Sequence, residues 1–281
     1  MIDSIPAAKL LKKAIRHPMR AVRRLLEAAR HSRLNDAKEH ELLAGFLSNT
    51  FDADTERIRE QYQRCGIVSW MARRHAELRE FPGPYRLGST PTVDCETLYS
   101  LLRAMKPKIV VETGVCYGVS SAYILQALKD NNRGELYSID LGNTPEEPPN
   151  DFFVPLNLRD RWNLIVGDCK DELPALLARL RQIDLFHHDS LHTYEHMMWE
   201  YDTALPYLRP NGVLSSHDVR TIVSLRKPLQ RNPFEIFCER NHLTSVISHN
   251  VGIAICDPRA DQEGLTRIAV PSAGVQTRRA N

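Results

Sequence analysis

The chain lacks any apolar run approaching the roughly 18 to 20 residues that a membrane-crossing helix needs. It lacks the unbroken apolar core and small-residue cleavage site of a secretory leader, so a cytoplasmic location is expected. It has no CxxC pair. Its six cysteines, Cys65, Cys95, Cys116, Cys169, Cys238 and Cys256, are scattered, which fits a reduced chain better than a disulfide framework or a zinc ribbon. It has almost no net charge: 37 Lys+Arg against 35 Asp+Glu leave +2, which argues against a dedicated nucleic-acid binder. No internal repeat is present. The 281 residues, 42% hydrophobic and 26% charged, have the composition of an ordinary globular protein, which excludes wholesale disorder and suggests one to two domains.

Charge is unevenly placed. Residues 1–34 hold nine Lys/Arg and two Asp/Glu, a net of +7, which leaves the remaining 247 residues at −5. Leu10, Leu11, Ala14 and Ile15, then Val22, Leu25, Leu26 and Ala29 beyond Pro18, repeat at helical spacing. This segment reads as a helical packing arm with a solvated basic face. The alternatives are a peripheral contact with anionic lipid and an arm that makes a homo-oligomer. Helical pattern continues to Glu80, with a helix expected over Thr55–Arg64. The break at Phe81-Pro-Gly-Pro84 separates a helical N-terminal extension (1–84) from a second unit (85–257), followed by a polar tail (258–281).

From Asp94 the pattern changes. Asp94 is expected to cap a helix that runs to Met105, and Pro107 ends it. Strands are then expected at 109–112, 135–140, 164–167, 183–189 and 212–216. Helices are expected between them at 119–129, 173–181 and 194–208, the last bent at Pro206. A helix over 233–240 and strands at 244–248 and 251–256 close the unit. Strict alternation predicts a mostly parallel sheet with helices on both faces. Only His249 and Asn250 join the last two strands, so that pair must be antiparallel.

In such a sheet, ligands bind beyond the carboxyl ends of the strands. After the first strand comes Glu112-Thr-Gly114-Val-Cys-Tyr117-Gly118-Val-Ser120, where Gly114 permits a tight turn and Gly118 a close backbone approach as the next helix opens. Cys116 replaces the middle glycine of the dinucleotide fingerprint, which weighs against a nicotinamide-dependent dehydrogenase. Asp140, 26 residues after Gly114, ends the second strand and is placed to accept ribose hydroxyls. Asp168 follows the third strand and suits an adenine amino group. Either acid alone reads equally well as a cap or turn residue.

Together these residues resemble the class I S-adenosylmethionine-dependent methyltransferases over roughly residues 92–257. The resemblance implies a Rossmann-like, seven-stranded α/β sheet, mostly parallel with a final antiparallel strand. It places the methionine end of the cofactor in the loop of Glu112, Gly114, Tyr117, Gly118 and Ser120, the ribose at Asp140 and the adenine near Asp168. The turn Asp189-Ser190-Leu191-His192-Thr193-Tyr194-Glu195 is similar to the D-G-x-H-x-Y-E turn of bacterial macrocin O-methyltransferase-like and cephalosporin-hydroxylase-like proteins, with Ser190 in place of glycine. In metal-dependent members an Asp at the fourth strand end joins two acids at the fifth. Here the latter are His217-Asp218, so the implied metal set is Asp189, His217 and Asp218. Its imidazole weakens the case for Mg²⁺ and leaves Mn²⁺ or no metal open.

The resemblance implies transfer of a methyl group to the hydroxyl of a small molecule or oligosaccharide, with a sugar or glycoside favoured and a phenol or catechol as the alternative. Asp189, also beside the cofactor, His192 and His217 form the expected catalytic set. His192 falls just past the strand end, where imidazole can take a proton near neutrality. His196, four residues on, reads as an ordinary polar helix residue and His188 as a hydrogen-bonded buried histidine. Residues 142–156 and 219–227 are candidate walls for the acceptor. A domain that binds the cofactor without catalysis, its helical arm serving interaction, is the competing class.

Overall fold

The protein is described from a computed structural model, which places residues 36–78, 90–220 and 231–256. The basic arm, the break at 81–84, residues 221–230 and the polar tail lie outside these residues. Three helices come first: α1 (36–51), α2 (Thr55–Arg64) and α3 (Ile67–Leu78). Asp54 caps α2 by accepting from the Arg57 N–H at 3.0 Å. Among the described residues no helix is long and apolar enough to cross a membrane.

The alternating unit runs α4 (Thr92–Met105), β1 (Ile109–Thr113), α5 (Val119–Asp130), β2 (Glu135–Asp140), β3 (Trp162–Val166), α6 (Cys169–Leu180), β4 (Ile183–His188) and α7 (Tyr194–Ala204). It closes with β5 (Leu208–Ser216), α8 (Pro233–Arg240), β6 (Thr244–Ser248) and β7 (Val251–Cys256). The seven strands lie in the order β3-β2-β1-β4-β5-β7-β6. Pairings among β1 to β5 are parallel, and β7 runs antiparallel to both β5 and β6, as expected from the two-residue hairpin.

Several boundaries differ from the sequence expectation, each for a local reason. Helix α4 starts at Thr92 behind Pro91, so Asp94 lies in its first turn and is not its cap. Helix α6 starts four residues early, because Asp168 caps it through the Lys170 N–H at 2.8 Å, and Pro174 is carried inside it. Helix α7 stops at Ala204, and Leu205–Tyr207 form a 3-10 turn around Pro206.

Neighbouring strand residues serve opposite faces of the sheet. Val110, Leu136, Leu185 and Val213 pack with α4 and α5, whereas Val111, Ile139, Phe186 and Leu214 pack with α6, α7 and α8. The first core also takes Leu43, Leu47, Ile58, Tyr62, Ile67 and Met71 from α1–α3, so the N-terminal helices share a core with the sheet. A fully buried leucine such as Leu98 or Leu102 contributes about 1.5–3 kcal/mol relative to exposure.

Residues 142–156, the first candidate wall for the acceptor, do not stand open at the cleft. Instead Phe152 and Phe153 are buried, and they dock α3: Trp70 Nε1 donates to the Phe153 carbonyl at 2.7 Å and Arg74 Nε to the Phe152 carbonyl at 2.9 Å. Of the second candidate wall, Arg220 pairs with Glu39 of α1 at 2.9 Å, and residues 221–227 lie outside the described residues.

Candidate functional site

Strand order reverses between β1 and β4, so the loops leaving these strands diverge and open a crevice at their carboxyl ends. The loop after β1 is held from both sides. Gly114 has φ +84, and a Cβ there would lie 2.2 Å from the Asp189 carbonyl oxygen. The glycine thus permits the β1 and β4 exits to touch. Gly118 also has positive φ, but the atom its Cβ would strike is the Asn150 carbonyl at 2.5 Å, so it admits a neighbouring loop. Thr90, Val115, Cys116, Tyr117, Ser120 and Asp189 line a cleft of about 40 Å³ here.

Glu112 sits under this loop. Its carboxylate accepts from the Ser120 and Ser121 hydroxyls at 2.6 Å each and from Ser138 at 2.8 Å. Burial raises its pKa to about 7, partly offset by those three donors. Glu112 and Ser120 therefore face each other, while Tyr117 is buried along the cleft.

Asp140 braces the same loop. One oxygen accepts from the Val115 and Cys116 N–H groups at 2.7 and 3.0 Å; the other accepts from Gly142 N at 2.8 Å and Asn150 Nδ2 at 3.0 Å. All four acceptor positions of the carboxylate are in use, so the ribose hydroxyl expected at Asp140 would have to exchange with one of these donors. Beyond it, Leu141 and Val166 are 74% and 62% exposed, an apolar pair that suits the face of a flat ring. Asp168, the α6 cap, stands two residues past Val166.

Asp189 and His217 leave adjacent strand ends. Asp189 N donates to the Thr113 carbonyl at 2.8 Å and His217 N to the His188 carbonyl at 2.9 Å, which carries the sheet ladder one residue further. His217 Nδ1 meets Asp189 Oδ1 at 2.9 Å, and its Nε2 meets Asp94 Oδ2 at 3.2 Å. Burial alone would lower the His217 pKa, but Asp189 and Asp94 together push it up to about 11. Burial would raise Asp189, but His217 and His192 pull it well below the usual carboxylate range. Thr90 donates to its second oxygen at 3.2 Å.

His192 precedes α7, whose cap is Thr193, so it does not share a helix face with His196. Its Nε2 lies 3.5 Å from both Asp189 Oδ1 and Asp218 Oδ2, and its buried Nδ1 has no hydrogen-bond partner. Asp218, at φ +58, gives its other oxygen to Asn250 Nδ2 at 2.7 Å. His196 departs from the expectation of a plain surface residue: it binds buried Glu200 at 2.9 Å, beside His188, which binds the same carboxylate.

The structure thus assembles Asp189, His192, His217 and Asp218. It adds Asp94 and Asn250, which carried no sequence signal because their partners are remote in the chain. The donor atoms of Asp189, His192 and His217 lie within 4.8 Å of one another. One carboxylate and two imidazoles fit a cation that tolerates nitrogen better than they fit Mg²⁺. Asp94 would serve as the outer acid that orients a ligating imidazole.

Residues 111–219 match the family model described as a methyltransferase domain. No curated protein matches the chain by sequence. The chain is similar in structure to the SAH-bound methyltransferase PaMTH1 of Podospora anserina, at 16% identity and TM-score 0.51, covering 72% of this chain and 96% of that one. The O-methyltransferase TomG of Streptomyces achromogenes, solved with SAM and involved in tomaymycin synthesis, gives 17% identity and TM-score 0.53 over 67% and 89% of the two chains. A methyltransferase of Geobacter sulfurreducens gives 20% and 0.50 over 67% and 88%. These likenesses establish the fold.

Proposed function

We propose that this methyltransferase domain serves an S-adenosylmethionine-dependent O-methyltransferase that acts on a hydroxyl of a small molecule, a sugar or glycoside, with a divalent cation assisting. The observation that carries the reading is the meeting of Asp189, His192 and His217 directly across the Gly114 contact from the cofactor loop. The turn Asp189 to Glu195 supports the choice of a sugar. The cofactor supplies a methyl group on a cationic sulfur with a neutral leaving group.

The residues of the chain must align the reactants and remove one proton. Asp140 and Glu112 hold the loop that binds the methionine end, and Leu141 and Val166 flank the ring. Alignment of this kind supplies several kcal/mol of the roughly 7–11 kcal/mol open to well-oriented systems. His217 is committed on both nitrogens and fixes the Asp189 carboxylate. His192 is the less committed ring, and its Nε2 takes the hydroxyl proton while Asp189 and Asp218 stabilise the resulting imidazolium. Asp189, Asp218 and His217, the last after its Nδ1 sheds its proton and turns from Asp189 to the cation while Nε2 stays on Asp94, would hold the cation, which would supply Lewis acidity at the acceptor oxygen.

The test is incubation of the protein with S-adenosylmethionine and a panel of glycosides and phenols, read by mass spectrometry. A gain of one CH₂ on a glycoside supports the reading. A gain on phenols alone moves the acceptor class. Tight cofactor binding with no acceptor methylated favours a binding module.

A further inference from the structure

Beside the β4 exit lies a second group of donors that the proposed reaction does not use. Cys169, His196 and Glu200 each offer one donor atom within 4.8 Å of the other two, and His196 Nε2 lies 2.9 Å from Glu200 Oε1. The Ser190 hydroxyl is 2.8 Å from the same Glu200 oxygen and 3.2 Å from His196 Nε2. We propose that Cys169, His196 and Glu200, with Ser190 or a water as fourth donor, form a structural zinc site that ties α6, α7 and the β4 exit together.

The donor types are those zinc takes: thiolate, imidazole and carboxylate in a tetrahedron. With bonds of roughly 2.0–2.3 Å, such a tetrahedron has edges of roughly 3.3–3.8 Å. The 2.8–3.2 Å separations of the oxygen and nitrogen donors expand slightly to reach those edges, and the sulfur closes in. Three features prepare the donors. Cys169 is the first residue of α6, where the helix N-terminus helps hold a thiolate once a cation displaces the proton; without a cation, burial and the neighbouring Glu200 push the thiol up to about 12. The far oxygen of Glu200 is fixed by Thr113 Oγ1 at 2.6 Å and His188 Nδ1 at 2.5 Å, which orients Oε1 toward the other donors, as outer partners of metal ligands do. Cys169 and Glu200 are buried, so a bound cation is shielded from water. The site is independent of the methyl-transfer reading, since it shares no donor with Asp189, His192, His217 or Asp218.

Sulfur makes the site separately observable. The full-length protein, stripped with chelator, is titrated with Co²⁺ and followed by absorption. One equivalent should give a thiolate-to-metal charge-transfer band that Zn²⁺ quenches, and Zn²⁺ should raise the thermal midpoint. Cys169→Ser should abolish the band. Thr113→Val, which strips one hydroxyl from the far oxygen of Glu200, should weaken affinity roughly 10- to 100-fold. Asp189→Asn, in the neighbouring cluster, should leave the band intact. Absence of a thiolate band, or a band that survives Cys169→Ser, overturns the proposal. Should Cys169→Ser misfold by circular dichroism, X-ray absorption of the zinc-loaded parent decides: one sulfur neighbour supports the site and none overturns it.

Discussion

Asp94 and His217 are 123 positions apart in the chain, yet Asp94 Oδ2 and His217 Nε2 meet at 3.2 Å. With Asp189 on the other nitrogen, His217 is held between two acids as a doubly donating imidazolium. Asp94→Asn removes one of these charges and keeps the side-chain size. In the metal-free protein the His217 pKa should drop below about 11, and turnover should decline about tenfold with little change in cofactor affinity. NMR titration of the imidazole alongside kcat and KM measures both, and an unmoved His217 titration removes Asp94 from this positioning role.

His192→Ala should lower kcat by about 10²-fold or more, because a positioned base contributes roughly 10²–10⁴. Cofactor affinity measured by calorimetry should be unchanged. Full turnover in the variant would assign proton removal elsewhere.

Glu112 binds its proton more tightly in the folded chain, with a pKa of about 7 against 4.5 for the free side chain. The stabilisation from that proton is complete below pH 4.5 and is lost as pH rises through 7. Across this window the parent should lose up to about 3 kcal/mol that Glu112→Gln does not lose. Denaturant unfolding of both proteins at several pH values tests this; parallel curves would contradict it.

Gly118→Ala should destabilise the fold by at least about 2 kcal/mol. It places a side chain at φ +85 and a methyl carbon 2.5 Å from the Asn150 carbonyl, where neither backbone can yield cheaply. A thermal midpoint within one degree of the parent would show that the 150–154 loop moves freely.

Chelation with EDTA should abolish turnover, and Mn²⁺ should restore it better than Mg²⁺, since His217 replaces an oxygen donor. Full activity in chelator eliminates the cation and leaves His192 acting alone.

The sheet was legible in the sequence because its signals are local. The β2, β6 and β7 spans and the α8 helix were read residue for residue from apolar runs and turn residues. Asp189, His192, His217 and Asp218 stand out in the sequence because each follows a strand end, and the structure brings them together. Asp94 was misread because an acid early in a helix has a plausible local use, while its actual partners, His217 Nε2 and Asn250 N, come from chain folded over it. The same blindness hid Glu200, which reads as one acid among many on α7 but is fully buried with His188 and His196. The segment 142–156 reads as an acceptor wall in the sequence; only packing shows its Phe152 and Phe153 to be anchors for α3.

The turn at Asn250 uses all four of its polar groups. Its N–H holds Asp94, its side-chain amide holds Asp218, and its two oxygens accept from Val219 and Arg220. Asp94 is synthesised 156 residues before this turn. As the chain emerges from the ribosome N-terminal end first, β1 to β4 can associate while Asp94 and Asp218 still lack their common clamp. The candidate centre is therefore a late product of biogenesis, and nascent chains truncated before the final hairpin would carry a recognisable sheet but an unassembled centre.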